Sequence, residues 1–501
     1  MTDKGRASRR AGRLARAAGA TAAVLVLATA GAGAWFYHRI DHNISTFSAD
    51  GIATSRPPAA PTASGGGRPV NVLLLGSDTR TDGNDELGGG EAGVGHSDTA
   101  ILLHVYADGK HAVGVSIPRD TLVTIPSCKL PSGRWTTART NQMFNSAFTV
   151  GEYPQGNPAC TQNTVEALTG LRIDHTIVVD FKGFAAMTEA VHGVEVCVPN
   201  DVDSYGIHLS KGRQTVSGQS ALDYVRARHG LGDGSDIGRM KRQQAFVSSF
   251  IKKVQTQGMD LTTLLPLADA ATRSLTVDPD LGSAMKLATF AQSLQGVKLS
   301  GITFVTVPWQ FAGARVTLVH PDVDTLWEML RQDRTLDGHA TGQSTAATPG
   351  LISAASPTPT ASADPSAGPG PGASASAGGT AVTVQVHNAS GAAGTAGRAA
   401  AALRTLGYQD VVIASDTKLR STTVVGYAAG HRAEAEQLAA RYPGAEVRQD
   451  ASADGLLLTL GTDHATGDPA GAAVLPDAVP TGITGNARPA DSDLCSDLSF
   501  G

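Results

Sequence analysis

Val70–Asp78 reads V-N-V-L-L-L-G-S-D, an apolar run broken only at Asn71 and closed by glycine, serine and an acid. A strand with one wet face alternates polar and apolar residues; a continuous run marks a strand covered on both faces. Working outward, further strands are expected at Thr99–Tyr106, His111–Ile117, His175–Asp180, Val194–Val198 and Ile302–Val307. Helical periodicity falls at Thr161–Thr169, Phe184–Val191, Asp236–Gln257 and Asp322–Arg334. Strands interleaved with helices predict an α/β fold, a layered α/β/α domain with a central mixed sheet, over residues 69–337.

The flanks differ in composition. Residues 1–16 are strongly basic, and an apolar run from Ala17 to Tyr37 follows. Its length suits a single bilayer crossing, with the basic end cytoplasmic and the bulk of the chain outside the cell membrane. Trp35, Phe36, Tyr37 and Arg39 read as an interfacial belt; a cleaved signal peptide is the alternative, and either exports the chain. Residues 38–68 form a spacer. Residues 338–380 are rich in Pro, Ala, Ser and Gly, which predicts a disordered linker reaching roughly 35–40 Å. A small C-terminal α/β domain is expected over 381–463, and 464–501 read as a tail. The glycines after V-Q-V-H-N read as a tight turn, since neither G-x-G-x-x-G nor G-K-[ST] is present. With a net charge of -5 over 501 residues, the chain is no general nucleic-acid binder.

Export makes disulfides available to the four cysteines. Three complete pairings are possible. Cys128 and Cys160 flank a loop-rich segment and are the first expected pair, leaving Cys197 for Cys495.

The stretch Thr215–Gln244 carries Arg226, Arg228, Arg239 and Arg242 within seventeen residues, with Asp236 among them. Arginine suits planar, bidentate contact with phosphate or carboxylate. Ser217 is the expected N-cap of a short helix ending near Asp223. An extended segment would then put Tyr224, Arg226 and Arg228 on one face. Asp236 is the expected N-cap of a second helix, on which Arg239 and Gln243 share a face. A solvated basic helix is the plainer alternative; the glycines between the arginine pairs favour a return that brings them together. Asp78 and Asp98, each beside a strand end, suit one hard cation, Mg²⁺ or Mn²⁺, shared with phosphate oxygens. Taken singly, each aspartate is as well read as a turn or helix cap. Arg119, in S-I-P-R-D-T, adds a further cation.

In order, V-L-L-L-G-S-D, H-S-D-T, S-I-P-R-D-T, F-N-S-A-F, D-F-x-G-F, H-G-V-E-V, G-x-x-A-L-x-Y-V-R-A-R and D-x-G-R-x-x-R-Q-Q make the chain resemble the LytR-CpsA-Psr family of cell-envelope proteins. The resemblance covers about Pro69 to Gln257, and residues 381–463 resemble that family's accessory C-terminal domain. It implies transfer of a glycopolymer from a polyprenyl-pyrophosphate carrier to peptidoglycan. Asp78 and Asp98 would hold Mg²⁺ or Mn²⁺; Arg119, Arg226 and Arg228 would bind pyrophosphate, with Arg239, Arg242 and Gln243 completing the cradle. Asp236 would orient the arginines or help deprotonate the attacking hydroxyl. Two positions depart from the family pattern: His96 where many members have arginine, and Met143 where many have lysine. Arg139 or Arg134 is expected to supply the missing charge. The competing readings are a non-catalytic binder of anionic glycopolymer or lipid carrier, and a pyrophosphatase using the same residues. A transcriptional attenuator finds no helix-turn-helix or basic domain to support it.

Overall fold

The computed structural model describes residues 27, 31, 33–79, 95–227, 231, 235–257, 261–339, 341, 382–465 and 479–496, less 61, 64–65, 205–206, 393, 407, 409, 415–416, 443 and 451–452. The expected anchor, Ala17 to Tyr37, lies largely outside these residues, as does nearly all of the expected linker. Among the described residues no helix is long and apolar enough to cross a membrane.

The main sheet is mixed and eight-stranded: β1 (Ser45–Thr46), β2 (Val70–Ser77), β3 (Ser97–Val105), β4 (Ala112–Ser116), β5 (His175–Val179), β6 (Leu275–Val277), β7 (Ile302–Thr306) and β8 (Ala487–Pro489). Their order across the sheet is β1-β6-β5-β2-β3-β4-β7-β8. The apolar run lies near the middle, antiparallel to β3 and parallel to β5. Leu73 and Leu75 of β2 join Leu102, Val113 and Val115 in the main core. That core packs against α1 (Pro158–Thr169) and α6 (Asp322–Arg331) through Val165, Leu326 and Trp327.

Over the other face lie α2 (Phe181–Ala190), α3 (Gly218–Arg226), α4 (Asp236–Gln257) and α5 (Leu261–Ser274). Gly183 lets α5 approach α2 closely, since a Cβ there would stand 2.2 Å from Ser274 Cβ. The C-terminal unit has its own core and a five-stranded sheet ordered Val411–Ile413, Val384–Asn388, Leu456–Leu460, Val424–Tyr427, Glu446–Gln449.

Three expectations are corrected. Helix α3 does not stop near Asp223 but runs through Arg226, so Tyr224 and Arg226 lie on a helix and not along a strand. Its Ser217–Ser220 capping box starts it firmly, and burial of Ala221, Leu222, Tyr224 and Val225 follows helical spacing. The cap of α4 is Ser235, whose hydroxyl accepts from Gly238 N at 2.9 Å, so Asp236 is the first helical residue and faces the site. The segment read as a tail is not one, because β8 extends the main sheet beside β7. The bond between Cys197 and Cys495, with Cα atoms 5.4 Å apart, fixes it there. The other disulfide joins Cys128 to Cys160, Cα–Cα 5.2 Å.

Candidate active site

Where β2 meets β3 the register slips between Gly76 and Ser77: Gly76 faces Thr99 while Ser77 faces Ser97. Asp98 is the extra residue of this bulge, a device that re-aims a side chain out of the ladder. Its carboxylate accepts from Arg119 Nη1 at 2.6 Å. Arg119, just beyond β4, also stands 3.3 Å from Asp236 and 3.6 Å from Asp120. Burial alone would lower the Arg119 pKa, but Asp98, Asp236 and Asp120 together hold it above the ordinary arginine value. Asp236 pairs in turn with Arg239, one turn on in α4, whose side chain is only 3% exposed. The second oxygen of Asp236, Oδ2, is buried without a hydrogen-bond partner. Asp98, Arg119, Asp236 and Arg239 thus form one continuous chain of charge.

Beneath this chain lies a cavity of about 1020 Å³, at the upper end of the roughly 300–1,000 Å³ of small-molecule sites. Asp78, Asp98, Arg226, Arg239 and Gln243 are among its polar lining; Leu74, Ile101, Phe184, Phe246 and Phe250 are among its apolar walls. Leu74 is only half-buried between the buried Leu73 and Leu75, because its side chain faces this space. The Arg226 guanidinium stacks over the Phe181 ring, 4.1 Å from its centroid, and Gln243 donates to Val225 O at 3.2 Å. Asp78 accepts from the His96 amide, while Asp78 N donates to His96 O at 3.1 Å. His96 therefore meets Asp78 through its backbone.

The structure brings Asp78, Asp98, Arg119, Arg226, Asp236, Arg239 and Gln243 to one place. Arg242 is not with them. It is fully buried and donates to the carbonyls of Ala227 and Leu231, so it clamps the segment joining α3 to α4. Arg139 and Arg134 line a separate space of about 550 Å³ with Trp135. The strand Arg139–Met143 sets Arg139 opposite Ile125, at the end away from Met143, and Arg134 precedes that strand, so neither replaces a charge at Met143. Arg228 lies outside the described residues. Sequence reading missed the apolar lining. Its signal was present in α4, where Arg239, Gln243, Phe246, Val247 and Phe250 recur at three- and four-residue steps and line one space.

Among the described residues no group of three His, Cys, Asp or Glu side chains is arranged to hold a metal. The charge balance still bears on cations. The cavity lining carries Arg226 and Arg239 against Asp78, Asp98, Asp180 and Asp223; adding Arg119 and its partner Asp236 gives three positive charges to five negative. That balance among described residues does not by itself hold a multiply charged anion. Two carboxylates supplemented by phosphate oxygens suit a hard divalent cation.

Comparison with known proteins bears on the same region. A model of the LytR_cpsA_psr family matches residues 44–332, and one described as LytR cell envelope-related transcriptional attenuator matches 381–464. The chain is 35% identical over 262 residues to the cell wall biosynthesis protein LcpA of Corynebacterium glutamicum, covering 48% of this chain and 50% of that protein. It is 30% identical over 221 residues to a polyisoprenyl-teichoic acid–peptidoglycan teichoic acid transferase, TagU, of Oceanobacillus iheyensis, covering 44% and 62%. The match thus spans about half the length of LcpA and somewhat more of TagU. Among solved structures, the LytR-Csp2A-Psr enzyme from Actinomyces oris aligns with a TM-score of 0.43 at 20% identity, over 57% of this chain and 96% of that one.

Proposed function

This chain belongs to the LytR-CpsA-Psr family, and on that footing we propose that it is a phosphotransferase of cell-wall assembly. It moves a glycopolymer from a polyprenyl-pyrophosphate carrier onto peptidoglycan. One observation carries the reading: a single cavity joins apolar walls to a mouth of arginines and aspartates. A free sugar phosphate has no use for such walls, and a purely apolar lipid has no use for such a mouth. A carrier with an isoprenoid tail and a pyrophosphate head uses both.

In this reading the tail lies among Leu74, Phe184, Phe246 and Phe250, and Arg119, Arg226 and Arg239 bind phosphate oxygens, with Arg228 as a further candidate. Asp78 and Asp98 would hold Mg²⁺ or Mn²⁺, which supplies charge neutralisation at the phosphates. An acceptor hydroxyl oxygen attacks the phosphorus bearing the glycan. The new P–O bond forms as the bond to the bridging pyrophosphate oxygen breaks, and polyprenyl phosphate leaves. Asp236 holds Arg119 and Arg239 in place, and its unpartnered Oδ2 takes the hydroxyl proton. Catalysis of this kind rests on positioning and electrostatics and needs no covalent nucleophile. The reading places the bulk of the chain outside the cell membrane, anchored through residues 17–37.

Native mass spectrometry of the full chain in detergent with polyprenyl pyrophosphate tests the binding half. One lipid per chain is expected, displaced by Phe250→Asp and weakened by Arg226→Ala. Equal retention by both variants would remove the cavity from the reading.

A further inference from the structure

Beside Arg119 the chain builds a hairpin that the carrier site does not use. Its strands, Trp309–Ala312 and Arg315–Leu318, pair antiparallel, with Phe311 opposite Val316. The hairpin is joined to the reaction centre by backbone. Val316 pairs with Thr121, and its N–H donates to Asp120 O at 3.2 Å. Arg315 adds an ion pair to Asp120 at 3.4 Å, and Asp120 is the neighbour of Arg119.

On this mount the outer strand holds two aromatics in an arrangement that does nothing for the core. Trp309 and Phe311 stack edge to face with centroids 4.9 Å apart, and Phe311 is 67% exposed. An aromatic left in water forgoes most of its burial free energy, so Phe311 exposed beside a half-buried Trp309 marks a contact surface. Gln310 and Arg315, also exposed, stand on the opposite face of the hairpin, since strand side chains alternate and Arg315 faces Ala312. An exposed aromatic face matches the C–H face of a pyranose, and Phe311 offers one at the rim of the reaction centre. From Thr121 to Phe311 is two strand spacings, about 10 Å, a reach that a short oligosaccharide covers.

We propose that the Trp309–Leu318 hairpin is the platform on which the acceptor glycan strand is laid, its pyranose faces on Trp309 and Phe311 and its next reactive hydroxyl led toward Arg119. This rests on the transferase reading above and adds a second binding site to it. The carrier enters through the cavity, and the acceptor arrives over the hairpin from the far side of Asp120.

The test uses the full chain in detergent, co-sedimented with insoluble peptidoglycan sacculi stripped of attached polymers. Parent, Phe311→Ala, Phe311→Tyr and the double variant Trp309→Ala/Phe311→Ala are compared, with melting midpoints as the folding control. The expected result is sedimentation of the parent and of Phe311→Tyr, weakening in Phe311→Ala, and loss in the double variant. In transfer assays the acceptor KM should rise at least about tenfold in the double variant. Sedimentation of a folded double variant like the parent overturns the proposal. So does a loss confined to vesicles of phosphatidylglycerol and phosphatidylethanolamine, which would make the hairpin a lipid contact. If the parent binds sacculi through Phe311 yet transfers nothing, the platform stands and the transferase reading falls.

Discussion

Replacing Asp236 by asparagine tests the charge chain most sharply, because one carboxylate there serves two arginines. It lies 3.3 Å from Arg119 Nε and in contact with Arg239. At an effective dielectric constant of about 20, a unit pair at this distance is worth roughly 5 kcal/mol before desolvation is counted. The Asp236 and Arg119 side chains are 20% and 19% exposed, Arg239 only 3%. Partial solvation places the net loss below that of a fully buried broken pair, at about 2–4 kcal/mol. The melting midpoint should fall by roughly 4–10 °C. Two guanidiniums that have lost their counter-ion must then welcome an external one. Inorganic pyrophosphate should restore part of the lost stability, and should bind the variant roughly 5–30-fold more tightly than the parent. Transfer should nevertheless drop by about 10²–10⁴, the usual cost of losing a positioned base. Differential scanning calorimetry with and without pyrophosphate, alongside turnover, reads all three. A variant that melts like the parent and gains nothing from pyrophosphate would refute the reasoning.

Other outcomes follow from the same geometry. Arg242→Met should cost about 3–5 kcal/mol by orphaning the carbonyls of Ala227 and Leu231, and urea unfolding measures it. Burial pushes the Tyr224 hydroxyl up to about 12. Above its ordinary pKa near 10 the unfolded chain releases this proton while the folded chain keeps it. Stability should therefore fall between about pH 10 and 12, and Tyr224→Phe should flatten that fall. Cys197→Ser with Cys495→Ser frees β8 and opens a 298-residue separation; a loss of about 2–5 kcal/mol is expected in oxidising buffer, and none once the parent is reduced.

The legible and hidden parts of this molecule divide on physical lines. Val70–Ser77 was readable because a doubly covered strand leaves no polar position in its middle. Asp236–Gln257 was readable because its length leaves helix as the only periodic solution. The segment around Arg226 was misread because alternation over Tyr224, Arg226 and Arg228 mimics a strand, and only the Ser217–Ser220 capping box, visible in structure, breaks the tie. Arg242 was grouped with Arg239 by composition, yet one guanidinium stands at the mouth while the other is taken up by the carbonyls of Ala227 and Leu231, a partnership no local pattern announces. Strand β8 spans only Ala487–Pro489 and depends on pairing with residues far away in sequence, so no local pattern announces it. The cavity was hidden for a similar reason. Its walls come from β2, β3, α2, α3 and α4, and a phenylalanine facing a lipid site has the same local signature as one in a core.

The transferase reading is tested most directly by the reaction itself. The full chain in detergent is given a short polyprenyl-pyrophosphate glycan, peptidoglycan fragments and Mg²⁺, and products are read by mass spectrometry. The expected result is a phosphodiester-linked glycan–peptidoglycan adduct with release of polyprenyl phosphate, abolished by EDTA and in Asp98→Ala. Tight, metal-independent binding of the carrier with no adduct on any acceptor would contradict it and leave a binding protein in its place.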